Sequence, residues 1–240
     1  MTTLLRIFLI AGLATAVCGC GKKKSTGTSG NASLAFANAQ GSSLLAGGDK
    51  LTPTYFGIKM INVSLVTDNQ PGANGTVSSI YLNKACGSAD ETTEINGKSY
   101  KYVGVPDCSL DKVTTFFDLA RASSVVNADL NSQALPIQPG TYNYVMMGLC
   151  TGTPNQPNIS FQVSGMTAAA GISVPECVQY STKFAAPLVV NDGDAVTVTL
   201  TYDLTNTILE STGMTSTACA TDSGIEYCSG MPPLNPSASR

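Results

Sequence analysis

The 240-residue chain has no histidine and no tryptophan, and only 12% of its residues are charged. Without histidine there is no imidazole to activate a serine or cysteine nucleophile and none to hold a metal. An average soluble protein carries about 25% charged residues, so other groups must cover this surface. Basic residues are scarce, 13 Lys and Arg against 16 Asp and Glu, which excludes nucleic-acid binding through a basic patch. Long apolar runs are scarce too. The one that stands out, residues 7–17, falls short of the roughly 20 residues of a bilayer-crossing helix, so a polytopic helical membrane protein is excluded. No phosphate-binding Walker loop, G-x-S-x-G elbow or C-x-x-C pair occurs. Hydroxyl and amide groups are abundant instead: 24 Ser, 27 Thr and 15 Asn, together 66 of 240 residues.

Residues 1–19 read as an export signal. Arg6 gives a weakly positive start, the apolar run follows, and Val17-Cys18-Gly19-Cys20 resembles the bacterial lipobox. Cys20 is the expected acylation site, with Gly19 before it and Val17 three positions back. Cys18, inside the same box, is the alternative and leaves the choice open. Palmitate and companion acyl chains on Cys20 would anchor the protein, since several chains hold stably where one is marginal. Lys22, Lys23 and Lys24 would then lie against anionic headgroups. Gly21, in place of Asp, resembles an outer-membrane address. The expected location is therefore the cell envelope at the outer membrane. Residues 20–32, rich in Gly, Ser and Thr, form the expected anchor and tether. Beyond Lys24, nine basic residues face sixteen acidic ones, a net charge of −7, which repels nucleic acid and anionic membrane.

Six cysteines follow the signal: Cys86, Cys108, Cys150, Cys177, Cys219 and Cys228. An even number in an exported chain argues for a disulfide framework rather than metal binding or catalysis. The spacing favours sequence neighbours, Cys86–Cys108, Cys150–Cys177 and Cys219–Cys228.

Residues 33–230 fit a single domain. The clearest pattern is at 195–204, where Val196, Val198, Leu200, Tyr202 and Leu204 alternate with Thr and Asp. That period of two marks a half-buried strand. Further strands are expected at 33–37, 56–66, 76–83, 99–105, 140–149, 158–164 and 181–190. Asn96-Gly97, Pro139-Gly140 and Asn191-Asp192-Gly193-Asp194 supply turns. Only 116–132 has helical character. These features predict an all-β fold, a disulfide-stapled antiparallel β-sandwich of prealbumin-like or immunoglobulin-like kind with at most one or two short helices. Residues 231–240, with Pro232-Pro233, read as a loose tail.

Two segments carry a family likeness. The first runs from Phe117-Asp118-Leu119 through Leu130 to Leu135-Pro136-Ile137-Gln138-Pro139-Gly140-Thr141-Tyr142. The second is the strand ending in Tyr202-Asp203. Their order resembles the bacterial envelope group called domain of unknown function 4382, whose members are often lipoproteins. The likeness covers roughly half the body and implies a prealbumin-like sandwich with no catalytic residues to carry over. This chain departs from that pattern at Thr201, where the group has a second acidic residue, and in its cysteines.

The remaining chemical candidates are few. Asp222-Ser223-Gly224 matches the core triplet of aspartic proteases, but that chemistry needs two carboxylates sharing a proton and the triplet occurs once. Ser109-Leu110-Asp111-Lys112 matches S-x-x-K without the K-T-G strand that mechanism requires. Asp192 and Asp194 are weak calcium candidates. Tyrosines such as Tyr81 and Tyr142 suit either a binding face or strand packing. The expected function is that of a non-catalytic envelope lipoprotein, structural or adhesive, bound to the membrane through its lipid, with a protein or glycan partner in the envelope. A glycan- or small-ligand-binding module is the alternative, and a hydrolase using Asp222 or Ser109 the remote third.

Overall fold

Alternation decides the strands. Val196, Val198, Leu200 and Tyr202 are buried, while the threonines between them stay partly exposed. The structure, a computed structural model, describes residues 29–39, 49–67, 76–95, 98–108, 113–149, 157–172, 178–205, 207–211, 219–229 and 231–240.

In chain order the described strands begin with β1 (Gly30–Asn38), β2 (Asp49–Leu51), β3 (Tyr55–Ile58), β4 (Met60–Val66), β5 (Thr76–Leu82) and β6 (Cys86–Ile95). Then come β7 (Lys98–Cys108), β8 (Phe117–Asp118), the helix α1 (Ser123–Leu130), β9 (Leu135–Ile137), β10 (Gly140–Leu149), β11 (Ile159–Gln162) and β12 (Ala170–Ile172). The last are β13 (Val178–Val190), β14 (Ala195–Tyr202), β15 (Ile208–Ser211), β16 (Cys219–Asp222), β17 (Ile225–Ser229) and β18 (Asn235–Ser239). The protein is all-β, with one short helix among the described residues.

The strands form four sheets, ordered β18-β14-β1-β9, β13-β10-β4-β5-β7-β6, β12-β11-β3-β8 and β16-β17-β15-β2. Most pairings are antiparallel. Two are parallel, β1 with β14 and β5 with β7. Asn31 meets Ala195 in the first of these, far apart in the chain, so no hairpin fixes the strand direction. One core joins all four sheets: Phe36 and Leu200, Met60 and Tyr142, Phe56 and Phe161, Ile208 and Tyr227 belong to the same buried cluster.

Two expected boundaries shift. Gly30, Asn31 and Ala32, expected in the tether, open β1, because Ala32 is buried in the core beside β14. The expected loose tail is instead β18, paired with β14 from Thr197↔Ser239 to Thr201↔Asn235. Leu234 is buried, Thr182 Oγ1 donates to its carbonyl at 2.6 Å, and Arg240 ion-pairs with Asp194 at 3.5 Å. Backbone pairing and one apolar anchor hold a segment whose side chains give no strand pattern.

The helix is too short to be stable alone. Val126 and Leu130, four residues apart, face the core. Ser123 and Asn127, also four apart, face the edge of β1. β9 pairs only with residues 30–32 of that edge. Beyond it, Ser132 Oγ accepts from Leu34 N, Asn127 Oδ1 from Phe36 N, and Ser123 Oγ from Asn38 N. Side chains thus finish the edge that a strand began, which blocks pairing with another chain.

The Phe117-Asp118-Leu119 segment and the strand that ends in Tyr202-Asp203 meet in space. Tyr202 donates its hydroxyl to the Leu119 carbonyl at 2.7 Å. Asp118 Oδ1 accepts from Phe56 N and Ala120 N, so it shapes the β8 turn and ties it to β3.

Candidate functional site

The sequence candidates fall at separate places. Residues 1–19, expected as an export signal, and Cys20, Cys150, Cys177, Ser109 and Lys112 lie outside the described residues. Cys219 and Cys228 are disulfide-bonded across the β16–β17 pair, where they are direct ladder partners. Cys86 is disulfide-bonded as well, and its partner in the β6–β7 ladder register is Cys108.

Among the described residues, Cys219, Glu226 and Cys228 are the three side chains close enough to share a metal. In the disulfide the two sulfurs are not the thiolates that ligation requires.

Asp222 ends β16 beside a tight turn at Ser223 and Gly224, both with positive φ, as a two-residue hairpin of this hand requires. Its carboxylate is taken up by Thr167: Oδ2 accepts from the backbone N at 3.0 Å and Oδ1 from Oγ1 at 2.7 Å. The Thr167 backbone bond, then its hydroxyl bond, holds the Asp222 carboxyl below its ordinary range. These bonds tie the disulfide hairpin to the loop before β12.

Asp192 is exposed in the β13–β14 turn, where Gly193 has a φ of 79°. Asp194 Oδ2 accepts from Asn191 N at 2.9 Å and from Asn191 Nδ2 at 3.1 Å, with Arg240 Nε 3.5 Å away. The backbone bond from Asn191 is the main cause of its lowered pKa. An amide pair and a guanidinium already engage the oxygen that a cation would approach.

The tyrosines divide in favour of packing. Tyr142 is buried, donating to the Gln138 carbonyl at 2.6 Å and lying 3.1 Å from Ser78 Oγ. Tyr81 packs edge-on against Phe117, and burial pushes its hydroxyl up to about 12. Sequence pattern gave no sign of Lys59 as a buried group. It lies between β3 and β4, buried, with Nζ 4.8 Å from the Phe116 ring centroid, and burial lowers its pKa.

A cleft of about 180 Å³ opens between the end of β5 and the end of α1. Tyr81, Leu82, Leu130 and Leu135 supply its apolar lining. Lys84, Asn131, Ser132 and Gln133 supply its polar groups. No sequence motif announced it, because its walls come from segments some 50 residues apart that meet only in the folded chain.

Compared with protein-family models, curated proteins and solved structures, the chain matches none.

Proposed function

We propose that the protein is a non-catalytic lipoprotein of the bacterial cell envelope, anchored at the outer membrane through Cys20, with a structural or adhesive β-rich body. The observation that carries this reading is the Cys219–Cys228 disulfide. Stable disulfides belong to oxidising compartments, and a lipobox-like Val17-Cys18-Gly19-Cys20 behind an apolar run supplies a route there. The likeness of the Pro139-Gly140-Thr141-Tyr142 and Tyr202-Asp203 segments to envelope lipoproteins points the same way.

The non-catalytic part rests on chemistry. The chain has no histidine, and both oxygens of Asp222 are engaged by Thr167. A short apolar h-region removed on export, acyl chains on Cys20 and a tether of Gly, Ser and Thr would hold an acidic body off the membrane surface.

The test is mass spectrometry of the N-terminal peptide from membrane-extracted protein, with fractionation of a Cys20→Ser variant. The expected result is an acylated Cys20 and loss of the variant from the membrane fraction. An unmodified Cys20, or a variant that stays membrane-bound, overturns the anchor. Protease shaving of intact cells then separates a surface-exposed adhesive role from a periplasmic structural one.

A further inference from the structure

The cleft between β5 and α1 has walls that are fixed before any ligand arrives. On one side Asn83 ties down the turn that carries Lys84. Its Nδ2 donates to the Met60 carbonyl at 2.9 Å, and its Oδ1 accepts from Ala85 N at 2.9 Å. On the other side Asn131 closes α1 in the left-handed region, φ 44°, with its N–H on the Asn127 carbonyl. Ser132 Oγ holds Leu34 N at 3.0 Å, and Leu135 pairs with Ala32. The side chains of Lys84, Asn131 and Gln133 carry none of these bonds. They stand at the cleft free of protein partners among the described residues. The backbone frame is held in place while the polar side chains remain uncommitted, so they can turn to a ligand at the cost of ordering their own rotamers, which keeps binding weak.

Three features define the occupant. The volume, about 180 Å³, lies below the roughly 300–1,000 Å³ of drug-sized sites, so it suits a single small ring. Apolar lining beside amide and hydroxyl groups matches a ring with a C–H face and several hydroxyls. Charge supplies the third feature: among the described residues that line the cleft, Lys84 is the only charged side chain and none is a carboxylate, in a body that is otherwise net acidic.

We infer that this cleft binds a sugar acid, one pyranose ring carrying a carboxylate. The carboxylate lies toward Lys84 as a charge-assisted pair. The ring hydroxyls lie toward Asn131 and Gln133, at the C-terminal end of α1, whose partial negative charge favours donors there. This is independent of the membrane anchor: it concerns the folded body and is read on purified protein, whereas the anchor is read on the N-terminal peptide.

The experiment is ligand-observed NMR titration of the full chain with disulfides intact, using glucuronate, glucose and acetate as probes. Glucuronate is expected to bind saturably, with a dissociation constant on the order of 1 mM. Glucose and acetate are expected to bind about tenfold more weakly or not at all. Lys84→Met is expected to weaken glucuronate binding about tenfold or more and to leave weak glucose binding as it is. Gln133→Ala weakens both sugars. Circular dichroism melts of the variants, both at exposed positions, confirm that the fold is retained. Absence of saturable glucuronate binding overturns the proposal. So does acetate binding as well as glucuronate, which would leave the ring without a role. Equal binding of glucose and glucuronate, or insensitivity to Lys84→Met, removes the carboxylate assignment and overturns it equally.

Discussion

Asn127, on a helix, makes with Phe36, on a strand, the pair of bonds that one strand residue makes with another. Its Oδ1 accepts from Phe36 N at 2.7 Å and its Nδ2 donates to the Phe36 carbonyl at 3.0 Å. An amide side chain has the same donor and acceptor as a peptide group, so it substitutes for a neighbouring strand. Asn127→Ala removes both partners and leaves a partly buried strand edge unpaired. The expected cost is about 1–3 kcal/mol, read as a lower urea midpoint. Freed edge groups also favour self-association, read by sedimentation velocity. An unchanged midpoint would mean that α1 protects nothing.

Tyr142 illustrates a second kind of substitution for backbone pairing. Its hydroxyl satisfies the Gln138 carbonyl four residues upstream and sits against Ser78 on β5. Tyr142→Phe keeps the ring and removes the hydroxyl, so the loss measures the hydrogen bonds alone. The expected destabilisation is about 1–3 kcal/mol, because buried partners are left unmatched. A loss below a few tenths of a kcal/mol in urea unfolding would show that water replaces the hydroxyl.

Asp222 gives the fold a pH dependence. Its folded pKa is lowered from the ordinary 3.8 by Thr167. A depressed carboxylate contributes stability that is complete above its unfolded value and is lost as pH falls through the folded one. Asp222→Asn keeps the shape without the charge. The stability gap between wild type and variant is therefore expected to be widest near neutral pH and to close in acid. Urea midpoints of both proteins across an acid series check this, and a gap independent of pH would assign the contact no electrostatic share.

These elements also show what the sequence made legible. Seven of the eight expected strands are present as single strands, and β14 follows the alternation residue by residue; the eighth, 56–66, breaks at Lys59 into β3 and β4, which join different sheets. The Cys219–Cys228 pairing was legible from spacing because a short hairpin brings such neighbours face to face. β6 was not, since its run of Gly, Ser, Asp, Glu and Thr has no apolar alternation and its pairing depends on β7. The helical character at 116–132 narrowed to Ser123–Leu130, because Phe117 and Asp118 pair with β3 instead. The cleft was illegible for a different reason: Lys84 and Gln133 carry no motif, and their segments, some 50 residues apart, come together only in the folded chain.

β18 is the sharpest departure from the sequence pattern, and it has a direct test. Its residues, Asn235-Pro236-Ser237-Ala238-Ser239, are small or polar and include a proline. Proline is tolerated on an edge strand, where its missing N–H costs no ladder bond on the outer side, and Pro236 sits opposite Leu200 at the border of its sheet. It both completes the sheet and discourages the next strand from adding. Truncation after Leu234 keeps the buried anchor and removes only the strand and Arg240. The uncovered edge is then β14, with its alternating Val and Thr, a pattern suited to pairing between chains. The truncated protein is expected to lose about 1–3 kcal/mol and to sediment partly as dimer or larger species at concentrations where the full chain is monodisperse. A truncated chain with the full midpoint and unchanged sedimentation would return residues 235–240 to a loose tail.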